Sequence, residues 1–330
     1  MEPIDFVVTW VDGNDPEWFK EKQKYQGVTV DSGNTVNRFR DWGTFKYWFR
    51  AVEKNAPWVN HVYLVTCGHY PEWLNTAHPK LRLIRHTDYI PPECLPTFNS
   101  NAIELFLHRI PELEEHFVLF SDDVFITSPT LPEDFFVNGV PCDEGLLEAV
   151  NSTDPKDVFP HTLLNNSAVI NKHFNKKEVL RKHFTKFINI KYGKENIRTL
   201  LVIPLKNFCG FRDLHVAASH TKSGFETVWA AEPEILMNTG RNRFRTLSDV
   251  SHWLMKNWRV CKGEFVPRSA GWGKRFDLGA DKDICEQITS GRWKTLCVND
   301  GIPDMDFETE KEKLCAAFET LFPEKSSFEI

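Results

Sequence analysis

Residues 116–123 read His-Phe-Val-Leu-Phe-Ser-Asp-Asp, an apolar run that stops abruptly at two adjacent carboxylates. The stretch 117–120 reads as a buried strand. Asp122 and Asp123 then stand at its carboxyl end, where open α/β sheets place their ligands. Two neighbouring anions repel each other, so a cation or a hydrogen-bond network has to offset them. A divalent metal holding a nucleotide diphosphate is one reading, because hard cations take oxygen ligands. An Asp-rich turn after a strand is the other.

The rest of the chain is punctuated in the same way. Residues 4–11 read as a first strand, closed by the turn formers Asp12-Gly-Asn-Asp15-Pro16. Residues 44–55 show helical spacing in Phe45, Trp48, Phe49 and Val52, and Pro57 ends the run. Strands follow at 61–66 and, more weakly, at 81–85, and Ser100 is read as the cap of a helix over 102–109. Strands alternating with helices point to an α/β protein with a mostly parallel central sheet flanked by helices. Residues 131–210 read as a variable or inserted region, with Pro-rich turns and a basic stretch from Lys172 to Lys191. Residues 211–330 read as a helical part, with helices dominating 226–258, a strand at 295–298 and a helix at 308–321. The segments 1–130 (a nucleotide-binding α/β half), 131–210 and 211–330 are expected to build one composite catalytic domain.

The 330 residues can bury an ample core. A net charge of -6 argues against wholesale nucleic-acid binding. Eleven Trp and twenty-six Phe suit sugar-stacking platforms and an aromatic core equally. Eight cysteines without a CxxC pair read as reduced thiols. The N-terminus lacks a signal-peptide pattern and no window approaches eighteen apolar residues. A soluble, cytoplasmic protein is the expectation, with the basic stretch either a solvated helix face or a peripheral membrane contact.

Three further clusters carry chemistry. In Thr9-Trp10-Val-Asp12-Gly13-Asn-Asp15, glycine lets backbone N–H groups approach a phosphate or base, although a plain strand-exit turn reads the same way. Glu104 and His108 stand four residues apart and so share a helix face, as part of a site or as a surface pair. His215, Arg245 and Asn299-Asp300 lie in the C-terminal half. Histidine suits general-base work near neutral pH, and arginine suits a developing phosphoryl charge. Singly, each of these is as readily structural.

Together the clusters resemble the four motif blocks of the Stealth family of sugar-phosphate transferases. That family includes bacterial capsule and exopolysaccharide phosphotransferases and the catalytic core of the animal N-acetylglucosamine-1-phosphotransferase. The first block is similar to Ile4 through Asp15. The second runs from Arg38-Phe-Arg-Asp41 through Ala56-Pro-Trp-Val59, Leu95-Pro-Thr-Phe98, Ala102-Ile-Glu104 and His108-Arg-Ile110 to Ser121-Asp-Asp-Val124. The third is looser, over 163–258. The fourth is Cys297-Val-Asn-Asp300 with the closing Leu321-Phe-Pro323 and Ser327-Phe-Glu-Ile330.

The resemblance implies a Rossmann-like or GT-A-like fold with a helical C-terminal part. It implies catalytic roles for Asp123, Glu104, His215 and Arg245, and a nucleotide pocket at Thr9, Trp10, Asp12, Gly13, Arg38 and Asn101. It also implies Mg²⁺ or Mn²⁺ held by Asp123 with Asp122, Asn299 and Asp300. After His215 the chain departs from the animal pattern, since Val-Ala-Ala-Ser follows where a proline and a second histidine come sooner, and this leaves His220 as a rival base. The implied reaction is attack of an acceptor-glycan hydroxyl on the β-phosphorus of a UDP-sugar donor, with UMP released and a phosphodiester formed. A lipid-linked acceptor at the inner membrane face fits the analogy. The alternatives are a metal-dependent glycosyltransferase releasing UDP and a non-catalytic glycan-binding protein.

Overall fold

Apolar strands separated by helices require crossover connections, and the chain makes them from its first residues onward. The computed structural model describes residues 2–26, 39–300 and 307–330. β1 (Ile4–Thr9) leads through α1 (Pro16–Tyr25) and α2 (Phe45–Asn55) to β2 (Val62–Thr66) and β3 (Leu81–Arg85). Helices α3 (His86–Tyr89) and α4 (Ser100–Leu105) precede β4 (His116–Ser121) and β5 (Val124–Ile126). After β6 (Phe136–Val137) and β7 (Val140–Asp143) come α5 (Val158–His173), α6 (Lys176–Phe187) and α7 (Asn196–Val202). β8 (Ala218–Thr221) is followed by α8 (Lys222–Ala231), α9 (Pro233–Arg241) and α10 (Trp253–Lys262). The chain closes with β9 (Val266–Pro267), β10 (Gly273–Asp277), α11 (Ile284–Thr289), β11 (Thr295–Asn299) and α12 (Phe307–Leu321).

The principal sheet has the order β3-β2-β1-β4-β8, parallel except for β8 at the edge. This is the α/β architecture expected from the strand–helix alternation. Both faces are covered. Phe6, Val8, Val118 and Phe120 enter one core with Trp48 and Phe49, while Val7, Phe117 and Leu119 enter another with Leu254 and Trp258. Coverage on both sides is why the strands read as continuous apolar runs. The second core also takes Ile170 of α5, Leu180 and Phe187 of α6 and Val202 of α7, so the helices of 158–202 are packed elements of that layer.

Two local elements differ from expectation. Pro16 begins a helix rather than ending a turn: Asp15 caps α1 by accepting from the Trp18 N–H, and Pro16 occupies the first turn, where its missing N–H costs nothing. The helix expected over 102–109 is capped by Asn99, not Ser100, and ends at Leu105 before a 3₁₀ turn at Leu107–Arg109. That change of period separates Glu104 from His108. The His108 ring instead lies against Phe225 and Trp229, at 5.7 and 5.8 Å between centroids.

The closing motif of the sequence is tied down by one buried cation. Arg50 of α2 grips Glu329 with two bonds, Nε to Oε1 at 2.8 Å and Nη2 to Oε2 at 2.9 Å. Its Nη1 donates to the Phe322 carbonyl at 2.9 Å and to Glu319 at 3.1 Å. Removing one partner of a buried pair strands the other charge away from water. Arg50→Ala is therefore expected to lower stability by about 3–5 kcal/mol in urea unfolding; a change within error would show that the tail is held by its apolar contacts alone.

Candidate active site

β1 and β4 pair in register from Ile4 beside His116 to Thr9 beside Ser121, so their carboxyl ends open side by side. Because β2 lies on one side of β1 and β4 on the other, the strand order reverses there, which makes a crevice. A cavity of about 380 Å³ fills it. Thr9, Trp10, Asn101, Glu104, Asp122, Asp123, His215, Arg245, Asn299 and Asp300 all line that cavity, converging from six separate stretches of sequence. Asp12 and Gly13 stand outside the lining. The bare Cα of Gly13 instead admits the Phe39 carbonyl, which a Cβ would meet at 1.8 Å. Arg38 lies outside the described residues.

Asp122 and Asp123 form the tight turn between β4 and β5. β5 pairs with β11, and the Val298 N–H donates to the Asp123 carbonyl at 2.9 Å, which fixes the turn to the strand carrying Asn299. Asp123 Oδ2 accepts from the Cys297 thiol at 3.4 Å, while its buried Oδ1 has no hydrogen-bond partner. Burial, then the charges of Asp123 and Asp41, push Asp122 up to about 8. One ligand atom each of Asp123, His215 and Cys297 lie within 4.8 Å of one another. Burial and the Asp123 charge hold the Cys297 thiol well above its ordinary value, and its hydrogen is directed at Asp123. The Asp123 oxygen without a partner, with His215 beside it, is a donor set that fits a divalent cation.

His215 precedes β8 at φ 47°, a left-handed conformation that costs a residue other than glycine. Its N–H donates to Asp213 Oδ1 at 2.7 Å, which helps hold the turn, and its own Nδ1 is buried without a partner. His220 lies in the middle of β8 opposite Phe117, away from the cavity lining. Burial first, then His252, depress its pKa well below the ordinary value, and its Nε2 faces His252 Nδ1 at 3.0 Å.

Arg245 sits on the loop between α9 and α10. Buried Asp249 organises that loop, accepting from Asn99 and Asn242 at 2.8 Å, and from the backbone and hydroxyl of Thr246. Arg245 Nη2 donates to Ser100 Oγ at 2.5 Å, which joins the loop to the start of α4.

Several lining residues were not singled out from the sequence, among them Arg40, Arg275 and His252. Arg40 pairs with Asp300 at 3.2 Å, and the Trp42 indole donates to the same Asp300 oxygen. Arg40 stands inside the quoted Arg38–Asp41 block, two positions from the arginine chosen there. Arg275 projects from β10 and donates twice to Asp277, whose Oδ1 also accepts from Asn299 at 2.6 Å. Its signal is the alternation Arg275-Phe276-Asp277 along one strand. His252, at the start of α10, faces Glu104 at 3.8 Å and is pushed down to about 3 by burial, with His215 and Lys256 adding to this.

The Stealth CR1 conserved-region signature matches residues 2–27 and the CR2 signature matches residues 38–142. A capsular polysaccharide phosphotransferase, WcwK of Streptococcus pneumoniae, is 43% identical over 337 residues, covering 100% of this chain and 98% of the relative. The exopolysaccharide phosphotransferase cps2G of Lactiplantibacillus plantarum is 42% identical, covering 99% and 96%. The receptor polysaccharide phosphotransferase WefC of Streptococcus gordonii is 42% identical over 100% of both chains. Among solved structures, galactosyltransferase LgtC aligns over 96% of this chain and 95% of its own at a TM-score of 0.41 and 9% identity. An α/β transferase is the class this defines. The chain belongs to the Stealth family.

Glu104 supplies a test of the site's electrostatics. Burial raises its carboxyl to about 7 against the opposing pull of Arg245. A carboxyl raised in the folded state adds stability below the unfolded value near 4.5 and loses it as pH rises through about 7. Glu104→Gln, which cannot ionise, is expected to match the parent near pH 4 and to exceed it by about 1–3 kcal/mol at pH 8 in urea unfolding with chelator present. A pH-independent difference would contradict the assignment.

Proposed function

We propose that the chain transfers a sugar-1-phosphate from a UDP-sugar to a hydroxyl of an acceptor glycan in capsule or exopolysaccharide synthesis. The observation that carries this reading is the meeting of Asp123, His215, Arg245 and Arg275 in one cavity from four separate segments. Phosphoryl transfer asks the protein for positioning and charge stabilisation rather than covalent chemistry, and this set is built for that.

Trp10, stacked on Phe45 at 5.5 Å, offers an aromatic wall for the nucleobase. Arg275 and Arg40 would bind diphosphate oxygens, and Arg245 would stabilise the equatorial oxygens as charge develops. Asp123, with Asp122, Asn299 and Asp300, would hold Mg²⁺ or Mn²⁺, which when bound neutralises diphosphate charge. Glu104, facing His252 and coupled to Arg245, sets the charge of the wall behind.

The acceptor oxygen bonds to the β-phosphorus while its proton passes to a ring nitrogen of His215. The bond from that phosphorus to the bridging oxygen breaks, and UMP departs with the bridging oxygen and its electron pair. The sugar keeps its anomeric oxygen and the β-phosphate, now a diester. We take the acceptor to be lipid-linked.

Chromatography of the nucleotide products tests this. UMP is expected, formed in step with acceptor modification; UDP as the product would overturn the reading. His215→Ala and Asp123→Asn are expected to slow UMP release roughly a hundred- to ten-thousand-fold with folding preserved. Chelation should abolish release, and Mg²⁺ or Mn²⁺ should restore it. Full activity in either variant would remove that residue's role.

A further inference from the structure

Away from the cavity, charge is distributed very unevenly. Residues 172–206 hold ten of the chain's forty Lys and Arg but only two of its forty-six Asp and Glu, a net +8. With -6 for the whole chain, the other residues carry -14. Lys177, Lys182 and Lys194 are exposed. Lys186 and Lys191 donate to backbone carbonyls of Gly263, Phe265 and Pro267, bonds that leave their charge unneutralised. Arg198 is paired with Glu195 and Glu148, and Lys172 with Glu232.

The same segment turns large apolar side chains outward. Ile190 is 95% exposed, and on α7 Ile197, Leu200 and Leu201 are 59%, 51% and 73% exposed. Their i, i+3, i+4 spacing places these three on one stripe, while Thr199 and Val202 turn inward. Phe184 and Leu205 add two more half-exposed apolar groups. α7 thus presents its apolar stripe to solvent, the reverse of an ordinary surface helix. A contiguous apolar patch of this kind marks an interaction site. An apolar stripe by itself would suit a protein partner. The net charge of +8 on residues 172–206, the segment that carries this stripe, matches an anionic lipid surface instead.

We propose that this face docks the protein on an anionic phospholipid bilayer. Ile190, Ile197, Leu200 and Leu201 enter the headgroup boundary, and the surrounding lysines meet lipid phosphates. The first turn of α5, at Val158 and Phe159, lines the cavity, and α6 follows directly from the other end of that helix. One packed helical segment therefore joins the docking face to the site. The proposal rests on the reading of a lipid-linked acceptor for its purpose, but it is tested by binding alone.

The experiment is co-sedimentation of the full chain with vesicles of phosphatidylcholine, with and without phosphatidylglycerol, and no donor or acceptor. Binding is expected to the anionic vesicles only, weakening as salt screens the lysines. Leu200→Ser/Leu201→Ser, and separately the fully exposed Ile190→Ser, are expected to weaken it about tenfold with unchanged circular dichroism. Lys182→Gln/Lys194→Gln should weaken it without touching the apolar stripe. Equal binding to neutral vesicles, undiminished binding by the variants, or a lipid-free dimer that the same substitutions dissolve would overturn the proposal. Failure here leaves the UMP test untouched, and failure to release UMP leaves the docking result standing.

Discussion

β1 and β4 run parallel and in register until both give out at the same level, Thr9 beside Ser121, and everything polar in the site depends on that coincidence. Along most of their length the two strands are sealed by apolar layers on both faces, which leaves no room for ligand chemistry. The exceptions, Asp5 and His116, are buried at the other end and engaged: Asp5 accepts from Asn60, His61 and Glu114, and the His116 ring meets the Gly139 carbonyl. Polar side chains therefore collect just past the carboxyl ends. The antiparallel pairing of β5 with β11 then folds the C-terminal half back over the same point and brings Asn299 and Arg275 to Asp123.

Gathering these groups is electrostatically unfavourable, and the structure offsets it only in part. Asp277 is shared by Arg275 and Asn299, and Asp300 is held by Arg40 and the Trp42 indole. Asp122, pushed up to about 8, and Glu104, pushed up to about 7, are left in poor environments for a carboxylate. Functional sites are where perturbed groups gather in one cleft. By contrast, the buried cluster of Lys256, Arg259 and Arg268 with Asp143 and Glu144 is closely paired, and it serves the packing of α10.

Much of this was legible in the sequence, for physical reasons. Strands buried on both faces announce themselves as unbroken apolar runs, so β1, β2 and β4 and their carboxyl-end aspartates could be read directly. His215 and Arg245 could not be placed by pattern; they needed the family resemblance, because the chain between them and β4 carries no spacing that encodes proximity. Arg275 and His252 were invisible for a related reason: a lone Arg on a short strand, or a His at a helix start, looks the same whether it faces solvent or a cavity. Pro16 was read as a breaker because proline ends a turn and starts a helix equally well, and only the Asp15 cap decides between them. The Glu104–His108 pairing failed because a six-residue helix that tightens into a 3₁₀ turn does not keep a 3.6-residue period.

The central claim is that phosphorus, not the anomeric carbon, is attacked in this cavity. The most direct measurement uses a UDP-sugar whose oxygen between the anomeric carbon and the β-phosphorus carries ¹⁸O, followed by mass spectrometry of both products. The account predicts that the label stays with the transferred sugar-phosphate and that the released nucleotide is unlabelled. Label in the released nucleotide would mean that the carbon–oxygen bond broke, and would contradict it.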